Sequence, residues 1–349
     1  MAYTTIKKPG DYFNNKIYTG NSGTQALTGV GFQPDMTWIK RRGSAEDHAL
    51  FDAVRGVTKR ITPSRDYAES TDAQGLTAFG TDGFTVGSSD AVNGSDNYAS
   101  WNWKANGQGS SNTDGSINTT YTSVNTTAGF SISSYTGDNN GGATIGHGLG
   151  VIPSMVIVKK LSSTRDWMVK HKDLTSNYNL ALNKTDAQWQ PSSNGWISDL
   201  TSNQTISFSI GSSDIDNVNQ GGQTFIAYCF AEKTGYSKFG SYVGNGNANG
   251  AFVYTGFKPA FILQKRTNSA STGWGMFDST RSPTNVSQNM ILANSNAVED
   301  TSAAGAIDFL SNGFKWRTAD GWFNGGGDPH IFMAFAEEPL IGDNPATAR

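Results

Sequence analysis

The chain has 349 residues, of which 41 are glycine and only 16% are charged. A typical globular protein carries about 25% charged residues, so this chain must build its solvated surface largely from Asn, Ser, Thr and Gly. A net charge of −3 provides no basic field for a nucleic-acid backbone or an anionic membrane surface. Residues 1–10 lack an apolar signal core, and the longest apolar run, residues 225–231, is too short to cross a bilayer. We therefore expect a soluble chain with no nucleic-acid partner and no membrane insertion.

Three stretches of the chain follow one template. Each opens with an aromatic turn, at Tyr18-Thr19-Gly20-Asn21, Tyr135-Thr136-Gly137-Asp138 and Tyr242-Val243-Gly244-Asn245. A proline follows 16 to 18 residues later, and it precedes a run that is apolar in both alternating columns, at residues 36–41, 155–160 and 261–266. Such a run is typical of a strand buried on both faces, and the basic pair at its end is expected to mark its emergence into water. Each stretch closes with an aromatic strand, at residues 100–104, 227–231 and 333–337.

Turn residues separate these runs, and sustained helical periodicity is nearly absent. The pattern predicts an all-β chain of three tandem antiparallel β-sandwich repeats, jelly-roll or lectin-like. The predicted boundaries are 1–105 for the first repeat, 106–127 for a polar linker, 128–233 for the second repeat and 234–349 for the third. The linker is almost entirely Asn, Gly, Ser and Thr, so it indicates a flexible connection or, at most, polar strands. The connection between repeats two and three is short, so these two repeats should pack rigidly against each other while the first repeat stays freer.

Residues suited to catalysis are sparse. The four histidines have no paired metal spacing, and no nucleophile elbow, zinc helix or phosphate loop is present. His147 lies between glycines, where a turn histidine bonded to backbone is the expected arrangement. Residues 214–221 resemble a calcium loop, but Val218 takes the place of an oxygen ligand and no glutamate closes the loop. Cys229, the only cysteine, has apolar neighbours and is expected to be a buried inert thiol. We therefore predict no catalytic residue, no metal site and no cofactor.

Tryptophan is the residue that could serve recognition, because a sugar ring stacks on an aromatic face. Most of the nine tryptophans fall in or beside the repeated apolar columns, where core packing explains them. Trp189, Trp196 and Trp322 fall in less regular segments. They are the candidate glycan platform.

Several long strings resemble a repeat protein of marine tailed bacteriophages, described as a virion structural or tail-fibre-like protein. They are FQPDMTWIK at 32–40, DGFTVG at 82–87, WNWKA at 101–105, YCFAEKTGYSKFG at 228–240 and YTGFKPAF at 254–261. The resemblance covers nearly the whole chain, and it implies a protein assembled in a bacterial cytoplasm and carried in the virion. The family offers no catalytic motif to transfer to this sequence.

The leading hypothesis is a non-enzymatic virion protein, a tail fibre or appendage that attaches to the host surface. Its expected partners are other virion proteins, copies of itself in a homotrimer by analogy with phage fibres, and a host surface glycan. A capsid decoration protein, head fibre or tail adaptor is the alternative, with the extended lead of residues 1–14 docking on the particle. A polysaccharide-degrading spike is the third hypothesis, although this chain lacks the short period of a β-helix.

Overall fold

The computed structural model describes residues 4–190, 197–209 and 214–347. Strands dominate, and α1 (Asp90–Asn93) is one short helical turn beside the 3₁₀ turns Pro9–Asp11, Asp214–Asn217 and Ala303–Gly305. The all-β class predicted from the sequence is confirmed.

For description, we divide the chain into a first section (residues 4–105), a second (106–233) and a third (234–347). The first section contains β1 (Phe13–Thr19), β2 (Gln25–Thr28), β3 (Met36–Arg41), β4 (Ala49–Asp52), β5 (Lys59–Arg60), β6 (Ser70–Thr71), β7 (Leu76–Gly80), β8 (Gly83–Val86) and β9 (Asn97–Trp103). The second contains β10 (Tyr121–Asn125), β11 (Phe130–Thr136), β12 (Thr144–Gly146), β13 (Met155–Lys160), β14 (Met168–His171), β15 (Leu180–Ala181), β16 (Thr205–Ser207) and β17 (Thr224–Phe230). The third contains β18 (Ser237–Val243), β19 (Phe252–Tyr254), β20 (Phe257–Arg266), β21 (Gly275–Asp278), β22 (Ile291–Leu292), β23 (Ile307–Leu310), β24 (Gly313–Trp316) and β25 (Pro329–Pro339).

Each section contributes one large antiparallel sheet with the same central order. The orders are β1-β9-β3-β4, β10-β11-β17-β13-β14-β15 and β18-β25-β20-β21-β22. Smaller sheets, β2-β8-β7, β12-β16 and β19-β24-β23, accompany them. The registers also agree, because the central strand of each section pairs with the closing strand in the same way. Met36 lies opposite Trp103 in the first section, Met155 opposite Phe230 in the second and Phe261 opposite Phe335 in the third. These registers define which residues of the three sections correspond.

The central strands are buried on both faces, as the two apolar columns predicted. On β9, β17 and β25, alternate residues face a local cluster within their own section and a cluster shared by all three sections. At the centre of the shared cluster, the corresponding rings of Trp103, Phe230 and Phe335 contact one another, with centroids 6.5, 6.1 and 5.7 Å apart. Burying a side chain of this size stabilises the fold by roughly 1.5–3 kcal/mol. The three sheets therefore share one apolar core.

The first section is tied into this core as firmly as the others, contrary to the expectation that it would be freer. Phe13 of β1 stacks on Phe335 of the third section, with ring centroids 4.9 Å apart. The segment 106–127, predicted as a polar linker, contains β10, which pairs along β11. Its hydroxyl side chains bond to one another, as Thr119 does to Thr122 at 2.8 Å, and to the neighbouring strand, as Thr122 does to Ser133 at 3.0 Å. Composition alone could not separate a flexible Ser/Thr segment from a polar strand of this kind.

The aromatic turns that open the three sections are pinned by a buried asparagine. The Tyr18 hydroxyl donates to the Val92 carbonyl at 2.6 Å, and the next residue, Asn93, accepts from the Asn21 amide at 2.9 Å. A Cβ at Gly20 would lie 2.0 Å from the Gly94 carbonyl oxygen, so glycine is required there. The same arrangement recurs around Asn219 and Asn324, where the hydroxyls of Tyr135 and Tyr242 donate to Val218 and Phe323.

Hydrogen bonds link the sections in a cycle around the shared core. Trp101 of the first section donates to Asp278 of the third at 3.0 Å, and Tyr228 of the second donates to Asp52 of the first at 2.6 Å. By strand register, Trp101 of the first section corresponds to Tyr228 of the second. In the same way, Asp52 of the first section corresponds to His171 of the second and to Asp278 of the third. Between the third and second sections, His171 bonds to the Phe332 carbonyl at 3.2 Å.

We predict that Tyr228→Phe destabilises the whole protein by about 1–3 kcal/mol, because it removes a buried hydrogen bond to a carboxylate. Urea unfolding followed by tryptophan fluorescence measures the change. Tyr67→Phe is the matched control, since Tyr67 is 53% exposed, and should stay within about 0.5 kcal/mol of wild type. Equal midpoints for Tyr228→Phe and wild type would show that this bond does not hold the joint.

Candidate functional site

Acidic and basic side chains are concentrated at the joints between sections. Where the second section meets the first, Arg55 forms ion pairs with Asp52 at 2.6 Å and with Glu69 at 3.1 Å. Where the first meets the third, Arg281 pairs in the same way with Asp278 and with Glu299, the latter at 2.8 Å. Two carboxylates beside one arginine resemble an acid-base pair at first sight.

Their electrostatics indicate structural ion pairs. Burial lowers the pKa of Arg281, but the charges of Asp278 and Glu299 outweigh it and leave that pKa raised. Burial raises the pKa of Glu299, but hydrogen bonds and charge from Arg42 and Arg281 outweigh it and leave that pKa lowered. Both groups therefore stay ionised and paired at neutral pH, and neither is poised to exchange a proton. The arrangement closes the joint instead of opening a reactive cleft.

The corresponding place between the third and second sections holds a neutral histidine. His171 Nδ1 accepts from the Asp173 amide at 3.1 Å, so Nε2 carries the proton that bonds to Phe332. His48 has the same tautomer, since Nδ1 accepts from the Trp38 indole at 2.7 Å and Nε2 faces the Leu292 carbonyl at 3.1 Å. Burial, the largest cause in each case, lowers the pKa of each ring to about 3. His147 accepts from the Leu149 amide at 3.1 Å, which confirms the expected turn histidine.

The first residue of each basic pair at the ends of the central strands does not emerge into water, whereas Arg41 and Arg266, the second residues of two pairs, are partly exposed. Lys40, Lys159 and Lys265 are corresponding residues and are fully buried. Lys265 Nζ bonds to the Thr185 carbonyl of the neighbouring section at 3.0 Å and to the Thr272 carbonyl at 2.8 Å. Burial lowers the pKa of Lys159 and of Lys265 to about 7 and that of Lys40 to about 8. Lys40 likewise bonds to the Asn296 carbonyl of the third section at 3.4 Å, so Lys40 and Lys265 belong to the joints, a role that the sequence pattern did not reveal.

A groove lies where the first and third sections meet. Its inner cavity of 190 Å³ and outer cavity of 330 Å³ share Gly10, Asn14 and Glu337 as lining residues. Glu337 is held by Lys258 at 2.9 Å. The outer cavity is also lined by Glu338 and Asp343, whereas the inner cavity has no other carboxylate in its lining. Asn15 also lines it, with a buried Oδ1 that has no hydrogen-bond partner. Such a groove can bind a ligand by hydrogen bonding.

The predicted tryptophan platform is placed only in part. Trp189 is half-buried against the local cluster of the second section, and Trp322 is half-buried against that of the third. Trp196 lies outside the described residues. The indole of Trp322 lies 6.4 Å from the Phe323 ring, so part of its surface is committed to packing. The platform stays a prediction.

Within the described part of the chain, no group of three His, Cys, Asp or Glu side chains is arranged to hold a metal ion. No helix in that same part is long and apolar enough to cross a membrane. Cys229 is buried, and burial raises the pKa of its thiol to about 12, which confirms the prediction of an inert thiol.

Residues 8–339 match the model of one protein family, a domain of unknown function (DUF7483). No curated protein matches the chain. No solved structure matches it either.

The buried histidines predict a pH dependence of stability. An unfolded histidine has a pKa near 6.5, whereas His48 and His171 have folded values of about 3, so the unfolded state binds more protons below pH 6.5. The contribution of these histidines to stability should be constant above about pH 6.5 and fall as the pH is lowered, by about 2 kcal/mol for each such histidine at pH 5.

Urea midpoints at pH 7.5 and pH 5.0 measure this loss. His171→Gln keeps a donor for Phe332 but cannot titrate, so its midpoint should fall less than that of wild type over the same range. An identical fall in both proteins would refute the role given to His171.

Proposed function

The chain belongs to the DUF7483 family, and we propose that it is a non-enzymatic structural protein of a bacteriophage virion. Its proposed role is that of a tail fibre or other appendage that attaches to the host surface. It is made in the bacterial cytoplasm and carried on the particle, where its partners are other virion proteins.

The observation that carries this proposal is the shared core. Three sheets close around the contacting rings of Trp103, Phe230 and Phe335. At the joints, Asp52, Asp278 and Glu299 form ion pairs with arginines within and between sections. A molecule built in this way is a rigid body without cystines, suited to life outside the cell. The strings at 32–40 and 228–240 that resemble the marine phage protein support the same role.

We also propose that the three sections are copies of one sandwich module of the jelly-roll or lectin-like kind. The common strand order and registers of the large sheets support this relation. So does the recurrence of the pinned turn around Asn93, Asn219 and Asn324.

The particle itself provides the test. Antibodies raised against the full chain should label the tail of purified virions, and the chain should be present there in a small number of copies. Label spread over the head would favour the decoration or head-fibre alternative. Absence of the chain from purified particles would end the proposal.

The lead of residues 1–14, the docking element of that alternative, is partly built into the core. Ile6 is 2% exposed and Phe13 is 1% exposed, so deleting the lead would damage the fold as well as any docking. Lys7→Ala with Lys8→Ala is the sharper variant, because both side chains are exposed. Under the appendage proposal, this variant is incorporated normally, and its loss from particles would instead favour docking by the lead.

The homotrimer expected for a fibre is tested on the purified full chain. Light scattering should give three times the chain mass of 37.3 kDa. A monomer at micromolar concentration would contradict the trimer, because the three sections of one chain would then supply the threefold body.

Release of new reducing ends from host polysaccharide would contradict the non-enzymatic assignment.

A further inference from the structure

Two large aromatic side chains are exposed side by side on an edge strand of the third section. β19 is the edge of the small sheet β19-β24-β23, and its middle residue, Val253, packs into the local cluster. The residues on either side face solvent, with Phe252 47% exposed and Tyr254 55% exposed. Residues two apart on a strand project from the same face about 7 Å apart, so the two rings form a short apolar strip.

The fold does not require aromatic residues at these two places. Val253 lies opposite Phe314 in the register of β19 and β24, as Leu27 lies opposite Phe84 and Ile145 opposite Ile206. Phe252 therefore corresponds to Ala26 and Thr144, and Tyr254 corresponds to Thr28 and Gly146. The first section holds the corresponding edge strand, β2, with the small residues Ala26 and Thr28, so the exposed rings of the third are surplus to its stability.

The surroundings of the strip are polar and leave its faces open. Lys315 lies opposite Phe252 and also opposite Asp308 of β23, and Asp308 forms an ion pair with Arg317 at 3.5 Å. Gly313 lies opposite Tyr254, and a Cβ there would lie 2.1 Å from the Val253 carbonyl oxygen and 3.2 Å from the Phe252 ring. The position beside the rings therefore carries no side chain.

We infer that Phe252 and Tyr254 form a saccharide-binding platform that takes a pyranose-containing oligosaccharide. A pyranose presents C–H groups on its face and hydroxyls at its rim. The rings match the face, while Lys315, Asp308 and the Tyr254 hydroxyl match the rim. A protein partner fits this strip poorly, because stable interfaces bury about 800 Å² on each partner and the strip offers two rings bordered by charges.

The inference goes beyond the proposed function, since it assigns a ligand class and a place to the molecule whatever its position on a particle. It also differs from the tryptophan platform predicted at Trp189, Trp196 and Trp322.

The test is saturation-transfer NMR on the full chain with three soluble probes: cellohexaose, mannohexaose and chitohexaose. At least one should receive saturation at its ring C–H protons from the wild-type protein. Phe252→Ala with Tyr254→Thr, the residues that the first section carries, should weaken that binding by at least about tenfold. Its urea midpoint should equal that of wild type, because both side chains are exposed.

Tyr67→Thr is the matched control, since it removes a 53% exposed tyrosine elsewhere on the surface and should leave binding unchanged. No transfer to any of the three probes, or equal binding by the double variant, would overturn the inference. So would a wild-type dimer in light scattering that the double variant fails to form, because the strip would then be a contact between copies of this chain.

Discussion

The meeting of Trp103, Phe230 and Phe335 at the centre of the molecule is the contact on which the rest of the structure depends. Each ring comes from the closing strand of a different section, and each lies opposite the second residue after a proline. A large sheet that buries only its inner face would expose the other face to water. Burying that second face against two neighbours removes the exposed apolar surface and makes each section dependent on the others.

The polar chemistry of the joints follows from that burial. A sheet edge pressed into a shared core needs partners for its polar groups, and the Trp101–Asp278 and Tyr228–Asp52 bonds provide them. The carboxylates in turn need cations, which Arg281 and Arg55 supply from three residues further along the chain. Lys40, Lys265 and the neutral histidines His48 and His171 add further bonds between sections. Groups that would be candidates for catalysis in an open cleft are therefore structural in this molecule.

Much of the fold could be predicted from the sequence, because apolar alternation records burial directly. The two apolar columns of residues 155–160 correctly indicated a strand buried on both faces. The sequence does not show what covers the second face of such a strand, since the apolar pattern is the same whether the neighbour is a helix, a copy of the chain or another section. The burial of Lys159 and Lys265 could not be predicted for a related reason, because they look like surface residues until the carbonyl oxygens that accept their hydrogen bonds are known.

The candidate sites were less predictable still. Tryptophan composition predicted a glycan platform, yet Trp322 is partly buried against the local cluster of the third section. The exposed pair at Phe252 and Tyr254 follows only from aligning Phe-Val-Tyr with Ala-Leu-Thr and Thr-Ile-Gly, and the register of the small sheets supplies that alignment.

Hydrogen exchange under native conditions, at increasing urea, tests the central claim most directly. If the three sheets depend on one core, the most protected amides of β3, β13 and β20 should exchange through a common opening, with one free energy and one urea dependence. An opening confined to the strands of a single section, with a smaller urea dependence than the other two, would show that the sections are separate bodies and would contradict the account.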